Sequence, residues 1–134
     1  MAERFSVLVV DDSAATREFL AATLEGGGAY RVTRAENGFA ALRVLPRQRF
    51  DLVISDVNMP DINGLELIQF IRTNEHHRST PILLISTQSS ERDRKRALSL
   101  GADGYVAKPF TPEDLRSRVK AQLEKGRTSA RGNG

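Results

Sequence analysis

The sequence predicts an α/β three-layer sandwich, five parallel strands alternating with five helices. Short apolar runs at Phe5 to Val10, Leu52 to Ser55, Pro81 to Ser86 and Gly104 to Ala107 alternate with segments of helical period, the signature of repeated βαβ units. Three of the runs end in polar chemistry. Val7-Leu8-Val9-Val10 leads into Asp11-Asp12, Leu52-Val53-Ile54-Ser55 into Asp56, and Tyr105-Val106-Ala107 into Lys108-Pro109. Ligands of open parallel sheets gather at the carboxyl ends of the strands, so three carboxylates and one ammonium are expected to meet in one cleft.

The elements follow in order. After the first strand, Ser13 is a good N-cap for a helix reaching about Glu25, with Phe19, Leu20, Ala22 and Leu24 among its apolar residues. Gly26-Gly27-Gly28 stops that helix; the triplet lacks the lysine and the spacing of a phosphate-binding loop. A weaker strand is expected near Tyr30 to Thr33 and a helix from Gly38 to Leu45. The third strand ends in the turn-rich segment Val57 to Gly64, followed by a helix to Thr73. The fourth strand precedes a helix from Ser90 to Leu100, and the fifth precedes one from Pro112 to Leu123, where Thr111 can cap and Pro112 takes the first helical position.

At 134 residues the chain fits one domain, expected over 1–124, which buries about two-thirds of the surface its unfolded form exposes. The absence of cysteine excludes disulfides and thiolate metal sites. No apolar run is long enough for a signal peptide or a membrane span, and a cytoplasmic protein is expected. Twenty Lys and Arg against 17 Asp and Glu give a net charge of +3, weak grounds for nucleic acid, and neither a helix-turn-helix nor an aromatic stacking platform is visible. The stretch 125–134, rich in Gly, Ser and Arg, cannot bury a core and is expected to be a disordered basic tail or linker.

Crowded carboxylates repel, so the predicted cluster needs a cation or a protonated member, and a hard divalent ion is the simplest answer. A carboxylate at the tip of a strand, as expected for Asp56, is a metal ligand, a general base, or a nucleophile that takes up a phosphoryl group. Phosphoryl transfer to an anion needs positive charge around both partners: magnesium held by Asp12 and Asp56, with Asp11 through water, and the ammonium of Lys108. Ser86, ending its own strand, offers a hydroxyl for a phosphoryl oxygen. A calcium loop fails here, because Asp56 to Asp61 has proline where a ligand is needed and no central glycine.

Asp11-Asp12, Asp56 with Met59-Pro60 and Gly64, Ser86-Thr87, and Tyr105 to Phe110 together closely resemble the receiver domain of two-component response regulators, over about residues 5 to 124. The segment Asp56 to Pro60 looks nearest to single-domain chemotaxis-type receivers. The resemblance implies the flavodoxin-like fold with strand order 2-1-3-4-5. It implies Asp56 as phospho-acceptor from a histidine kinase, Asp12 and Asp56 as direct magnesium ligands, the backbone carbonyl of Asn58 as a third and Asp11 as a water-mediated one. Lys108 would bind the phosphoryl group and precede a cis bond to Pro109. Ser86 and Tyr105 would act as the switch that alters the face made by the fourth helix, fifth strand and fifth helix, where a downstream protein binds. A signalling switch rather than a turnover enzyme is implied, a monomer being expected and a dimer the alternative.

Thr87, Asn58 and Gln88 fall at the rim of the site and are expected to tune the lifetime of the phosphorylated form. His76-His77 lies in a polar connection without metal-ligand spacing and is expected to be solvated. Arg92, Arg94, Lys95 and Arg96, diluted by Glu91 and Asp93, read either as a solvated face or as a docking surface for an acidic partner. Two other functions remain open at this stage. One is a receiver fold used as a phosphorylation-independent interaction module. The other is a haloacid dehalogenase-type phosphatase, which wants its nucleophile after the first strand and a second acid where Asn58 stands.

Overall fold

The computed structural model describes residues 4–87 and 90–132, with the side chains of 126–132 outside that description. The elements are β1 (Phe5–Val10), α1 (Ala14–Glu25), β2 (Tyr30–Ala35), α2 (Gly38–Val44), β3 (Leu52–Asp56), α3 (Gly64–Thr73), β4 (Ile82–Ser86), α4 (Glu91–Leu100), β5 (Gly104–Ala107) and α5 (Pro112–Gly132). The strands form one parallel sheet in the order β2-β1-β3-β4-β5. Every expected element is present.

Period-two alternation sends successive side chains to opposite faces. Leu8, Val10, Val53 and Leu84 join Ala41 of α2, Leu45 just after it, Leu67, Ile68 and Ile71 of α3 and Ala97 of α4 on one side. Val7, Val9, Ile54, Leu83 and Ile85 join Leu20 and Leu24 of α1 and Leu115, Val119 and Leu123 of α5 on the other. Strands β3 and β4 are buried along their whole length, which is why they read as unbroken apolar runs.

Side-chain caps fix where the helices begin. The Ser13 hydroxyl accepts from Thr16 N–H, Asn37 from Ala40 N–H and Ser90 from Asp93 N–H, while Asn63 and Glu66 form a reciprocal capping box. Register then sets the depth of the site. Val10 pairs with Ser55, Asp56 with Ile85 and Ser86 with Ala107, so the residues ending β1, β3, β4 and β5 emerge together.

Two readings of the sequence need correction. The helical backbone of α5 continues to Gly132, beyond the Leu123 expected as its end. Leu123 is the last buried apolar side chain among the described residues, and the helical backbone continues past it, already nucleated, despite the weak helix formers Gly126, Thr128 and Ser129. His77 is not solvated: it is 1 % exposed, with Nε2 2.7 Å from the Leu45 carbonyl, Nδ1 3.3 Å from Thr80 Oγ1 and its ring centroid 6.0 Å from that of Phe50. The α3–β4 connection tucks beneath the end of α2, and His77 satisfies a carbonyl there. His76 is exposed, as expected. Among the described residues no helix is long and apolar enough to cross a membrane.

Candidate functional site

The carboxylates of Asp11, Asp12 and Asp56 each offer an oxygen, and these atoms all lie within 4.8 Å of one another. Asp11 and Asp56 are buried whereas Asp12 is exposed. Asp11 Oδ1 accepts the Ser13 N–H at 2.9 Å, and the Arg17 guanidinium donates to the Asp11 carbonyl at 2.8 Å, tying the β1–α1 turn in place. Asp11 Oδ2 is buried and has no hydrogen-bond partner. Burial pushes the Asp11 pKa up, the Ser13 N–H opposes that, and the neighbouring Asp56 adds to it.

Lys108 reaches this cluster from the end of β5. Its Nζ lies 3.4 Å from Asp56 Oδ1 and 3.8 Å from Asp11 Oδ2. The peptide bond from Lys108 to Pro109 is cis, and the Lys108 N–H donates to the Ser86 carbonyl at 2.8 Å. Ser86 itself is wholly buried at the end of β4, between Asp56 and Lys108 in sheet order. One ammonium against three carboxylates leaves negative charge in excess. An orphaned buried oxygen beside two further carboxylates is the donor set of a hard divalent cation, so these residues fit such an ion.

The loop after Asp56 is held by backbone. Val57 N–H donates to the Ile85 carbonyl at 3.1 Å and Gly64 N–H to the Val57 carbonyl at 2.9 Å. A Cβ at Gly64 would stand 2.6 Å from the Asp56 carbonyl oxygen, so glycine is required by that close approach. Asn58 is exposed beside the site, as is Thr87, while Gln88 lies outside the described residues. Tyr105 points inward, 7 % exposed, and shares a cavity of about 170 Å³ with Asn58, Asn63, Leu65 and, from α4, Asp93 and Arg96.

Asp61 is a contributor that motif reading missed. Its carboxylate accepts the N–H of Phe39 at 2.9 Å and of Gly38 at 3.3 Å, pinning the β3–α3 loop to the first turn of α2. Burial opposes its charge, yet the N–H groups of Phe39, Ile62 and Gly38 outweigh it and the Asp61 pKa is lowered. The signal in the sequence is an acid within a turn, which does not say which helix it will meet.

A sheet of order 2-1-3-4-5 with acids ending β1 and β3 and a lysine ending β5 defines a narrow class of α/β proteins, and comparison with known proteins agrees. The family model described as response regulator receiver domain matches residues 7–120, and the chain belongs to that family. A probable chemotaxis protein CheY of Rhizobium etli is 34 % identical over 121 residues, covering 90 % of this chain and 94 % of the relative. The structure of Vibrio cholerae chemotaxis protein CheY4 superposes with a TM-score of 0.86 at 37 % identity, covering 90 % of this chain and 99 % of the other. The receiver domain of sensor histidine kinase PA1611 from Pseudomonas aeruginosa, whose structure has a magnesium ion coordinated in the active site cleft, gives 0.83 at 30 % identity, covering 91 % and 99 %. The chain spans about half the length of the transcriptional regulators it also matches. It is thus a receiver domain of phosphorylation-based two-component signalling, a family of signalling switches.

Proposed function

We propose that this receiver accepts a phosphoryl group on Asp56 from a histidine kinase and in response changes the face made by α4, β5 and α5 for a downstream protein. The observation that carries this reading is the placement of the Asp56 carboxylate at a strand end, 3.4 Å from a lysine and within 4.8 Å of two further acids.

An Asp56 carboxylate oxygen attacks phosphorus of the donor's phosphohistidine. An oxygen–phosphorus bond forms as the nitrogen–phosphorus bond breaks, and the bonding pair leaves with the imidazole nitrogen. The Lys108 ammonium holds a phosphoryl oxygen, and the Ser86 hydroxyl donates to another. Asp12, Asp56 and the Asn58 carbonyl would hold magnesium directly and Asp11 through water. When bound, the ion neutralises charge on the entering phosphoryl group. Tyr105, inward and beside Arg96 of α4, links the site to the output face. Asn58 and Thr87, exposed beside the site, tune how long the phosphoryl group survives by governing the approach of a hydrolytic water, and Gln88 is assigned the same role from its place in the sequence. The remaining assignments are a cytoplasmic location, a monomer with a dimer as the alternative, and 1–124 as the receiver with 125–134 as a basic tail or linker.

The test is intact mass after incubation with acetyl phosphate and magnesium, beside Asp56→Asn and a chelator control. An adduct that requires both Asp56 and magnesium supports the reading. No adduct, together with no binding of a fluoroberyllate analogue, would replace it with a phosphorylation-independent interaction module.

A further inference from the structure

The end of the sheet opposite the acid cluster carries the reverse charge. Arg4 stands just before β1, Arg47 and Arg49 lie between α2 and β3, and Arg78 lies between α3 and β4, all four exposed. Strands β1, β3 and β4 are neighbours about 4.8 Å apart, so the four arginines leave the same end of the sheet side by side. Their loops are tied together. Asp51 N–H donates to the Ser6 carbonyl at 2.7 Å and Ser6 N–H to Asp51 Oδ2 at 2.7 Å, while His77 Nε2 lies 2.7 Å from the Leu45 carbonyl. Arg4 and Arg78 thus flank the loop that carries Arg47 and Arg49. The two loops hold only two acids, Asp51, which accepts the Ser6 N–H, and Glu75. Asp103, at the start of β5, is paired with Arg72 at 2.8 Å, and among the described residues no carboxylate lies within 4.0 Å of the side-chain nitrogens of Arg4, Arg47, Arg49 or Arg78. The last helix extends the same charge. Gln122 donates to the Asp103 carbonyl at 3.1 Å, which sets that turn of α5 level with the start of β5. Exposed Lys125 follows, and the helical backbone runs on to Gly132, about 15 Å past that level at 1.5 Å per residue.

We propose that this end of the sheet, Arg4, Arg47, Arg49 and Arg78 with Lys125, binds the phosphate backbone of a nucleic-acid duplex without regard to sequence. A net charge of +3 conceals the site, because Asp11, Asp12 and Asp56 gather at the far end, about one strand length or 20 Å away. Four of the five cations are guanidiniums, whose planar forks match phosphate oxygens. They sit on loops, with no element shaped to enter a groove, so they contact backbone rather than bases. A protein partner fits less well. The exposed large apolar side chains, Phe19, Phe39 and Phe70, lie on α1, α2 and α3, and the arginine patch lacks the apolar anchor that protein interfaces centre on. A bilayer also fits less well, because α5 stands past the patch and keeps a flat surface from it. A rod seats in the corner between patch and helix. The acid cluster repels the same polyanion, so a bound duplex leaves the Asp56 end open.

The experiment titrates a labelled DNA duplex of about 20 base pairs, of mixed sequence, by fluorescence anisotropy over a range of salt. The slope of log affinity against log salt is expected near about −4, a loss of more than about a hundredfold between 50 and 200 mM. Arg47→Gln with Arg49→Gln should reduce the slope by about 2 and Arg78→Gln by about 1. The same charge change on α4, Arg92→Gln with Lys95→Gln, should leave it. A second duplex of unrelated sequence should bind equally. No binding at low salt, a slope untouched by the loop variants, or equal loss in the α4 control overturns the proposal. So does tighter binding of phosphatidylglycerol vesicles than of the duplex, or displacement of the duplex by polyglutamate of equal charge as readily as by unlabelled duplex. The acetyl phosphate adduct forms at the other end of the sheet and should be unchanged by Arg47→Gln with Arg49→Gln, so failure of either reading leaves the other standing.

Discussion

Lys108 Nζ lies 3.4 Å from Asp56 Oδ1, although the two residues end strands separated by β4. The ammonium thus passes over Ser86 to reach the carboxylate, and any group attached to Asp56 enters the space these three residues share. The Lys108 side chain is 21 % exposed, so its charge is only partly screened by water.

Removing that charge should be felt in rate before stability. Lys108→Ala is expected to slow the acetyl phosphate adduct on Asp56 by about a hundredfold, the cost of deleting one preorganised electrostatic contact. Intact mass followed over time measures it. Lys108→Arg, which keeps a cation on a longer and planar head, should lie between the two, and equal rates for all three proteins would remove Lys108 from the chemistry.

Asp61 should show its charge in the pH dependence of stability. Its folded pKa lies below the ordinary 3.8, so its contribution is present in full above that value and is lost as pH falls through the folded one. Asp61→Ala is expected to cost about 1 kcal/mol near neutral pH, as for a lost helix cap. Urea unfolding repeated at about pH 3 should show a smaller gap between variant and wild type. Asp61→Asn keeps an acceptor for the Phe39 N–H and should lose less than alanine at neutral pH.

Gly64→Ala tests the close approach behind the site. Its Cβ would meet the Asp56 carbonyl oxygen at 2.6 Å and Val57 Cα at 2.9 Å, both backbone atoms that move only with the loop. A loss of about 1–3 kcal/mol is expected, together with a slower adduct on Asp56. Gly27→Ala meets nothing within 4 Å and should be close to neutral in the same unfolding assay.

The strands and their chemistry were legible because both are local. A buried parallel strand needs an unbroken apolar run, and the residue after it emerges at the site, so Asp11, Asp56 and Lys108 could be located from position alone. Residues whose partners are far along the chain were not legible. Arg72, on α3, donates to the carbonyls of His77, Thr80 and Gly101 and pairs with Asp103 at 2.8 Å, joining α3 to the starts of β4 and β5. His77 likewise bonds back to Leu45 across 32 positions. Such contacts depend on tertiary packing, and an arginine near a helix end or a histidine in a polar run looks solvated until that packing is known. The end of α5 differs for another reason: its apolar period ends at Leu123, whereas a helix already nucleated continues through the Gly- and Ser-containing residues that follow.

The crowding of Asp11, Asp12 and Asp56 predicts that the site costs stability when no metal is bound. Asp11 is fully buried, and one of its oxygens lacks a hydrogen-bond partner. Asp11→Asn keeps the acceptor for the Ser13 N–H, replaces the orphaned oxygen with a donor facing the remaining carboxylates, and removes one negative charge. Urea unfolding in chelator should therefore find the variant more stable than wild type by about 1–2 kcal/mol. Magnesium should close that gap, because a ligand that binds the folded state stabilises it in proportion to affinity and the wild type keeps the full set of acids. A variant less stable than wild type in chelator would show that Lys108, 3.8 Å from Asp11 Oδ2, already compensates the cluster.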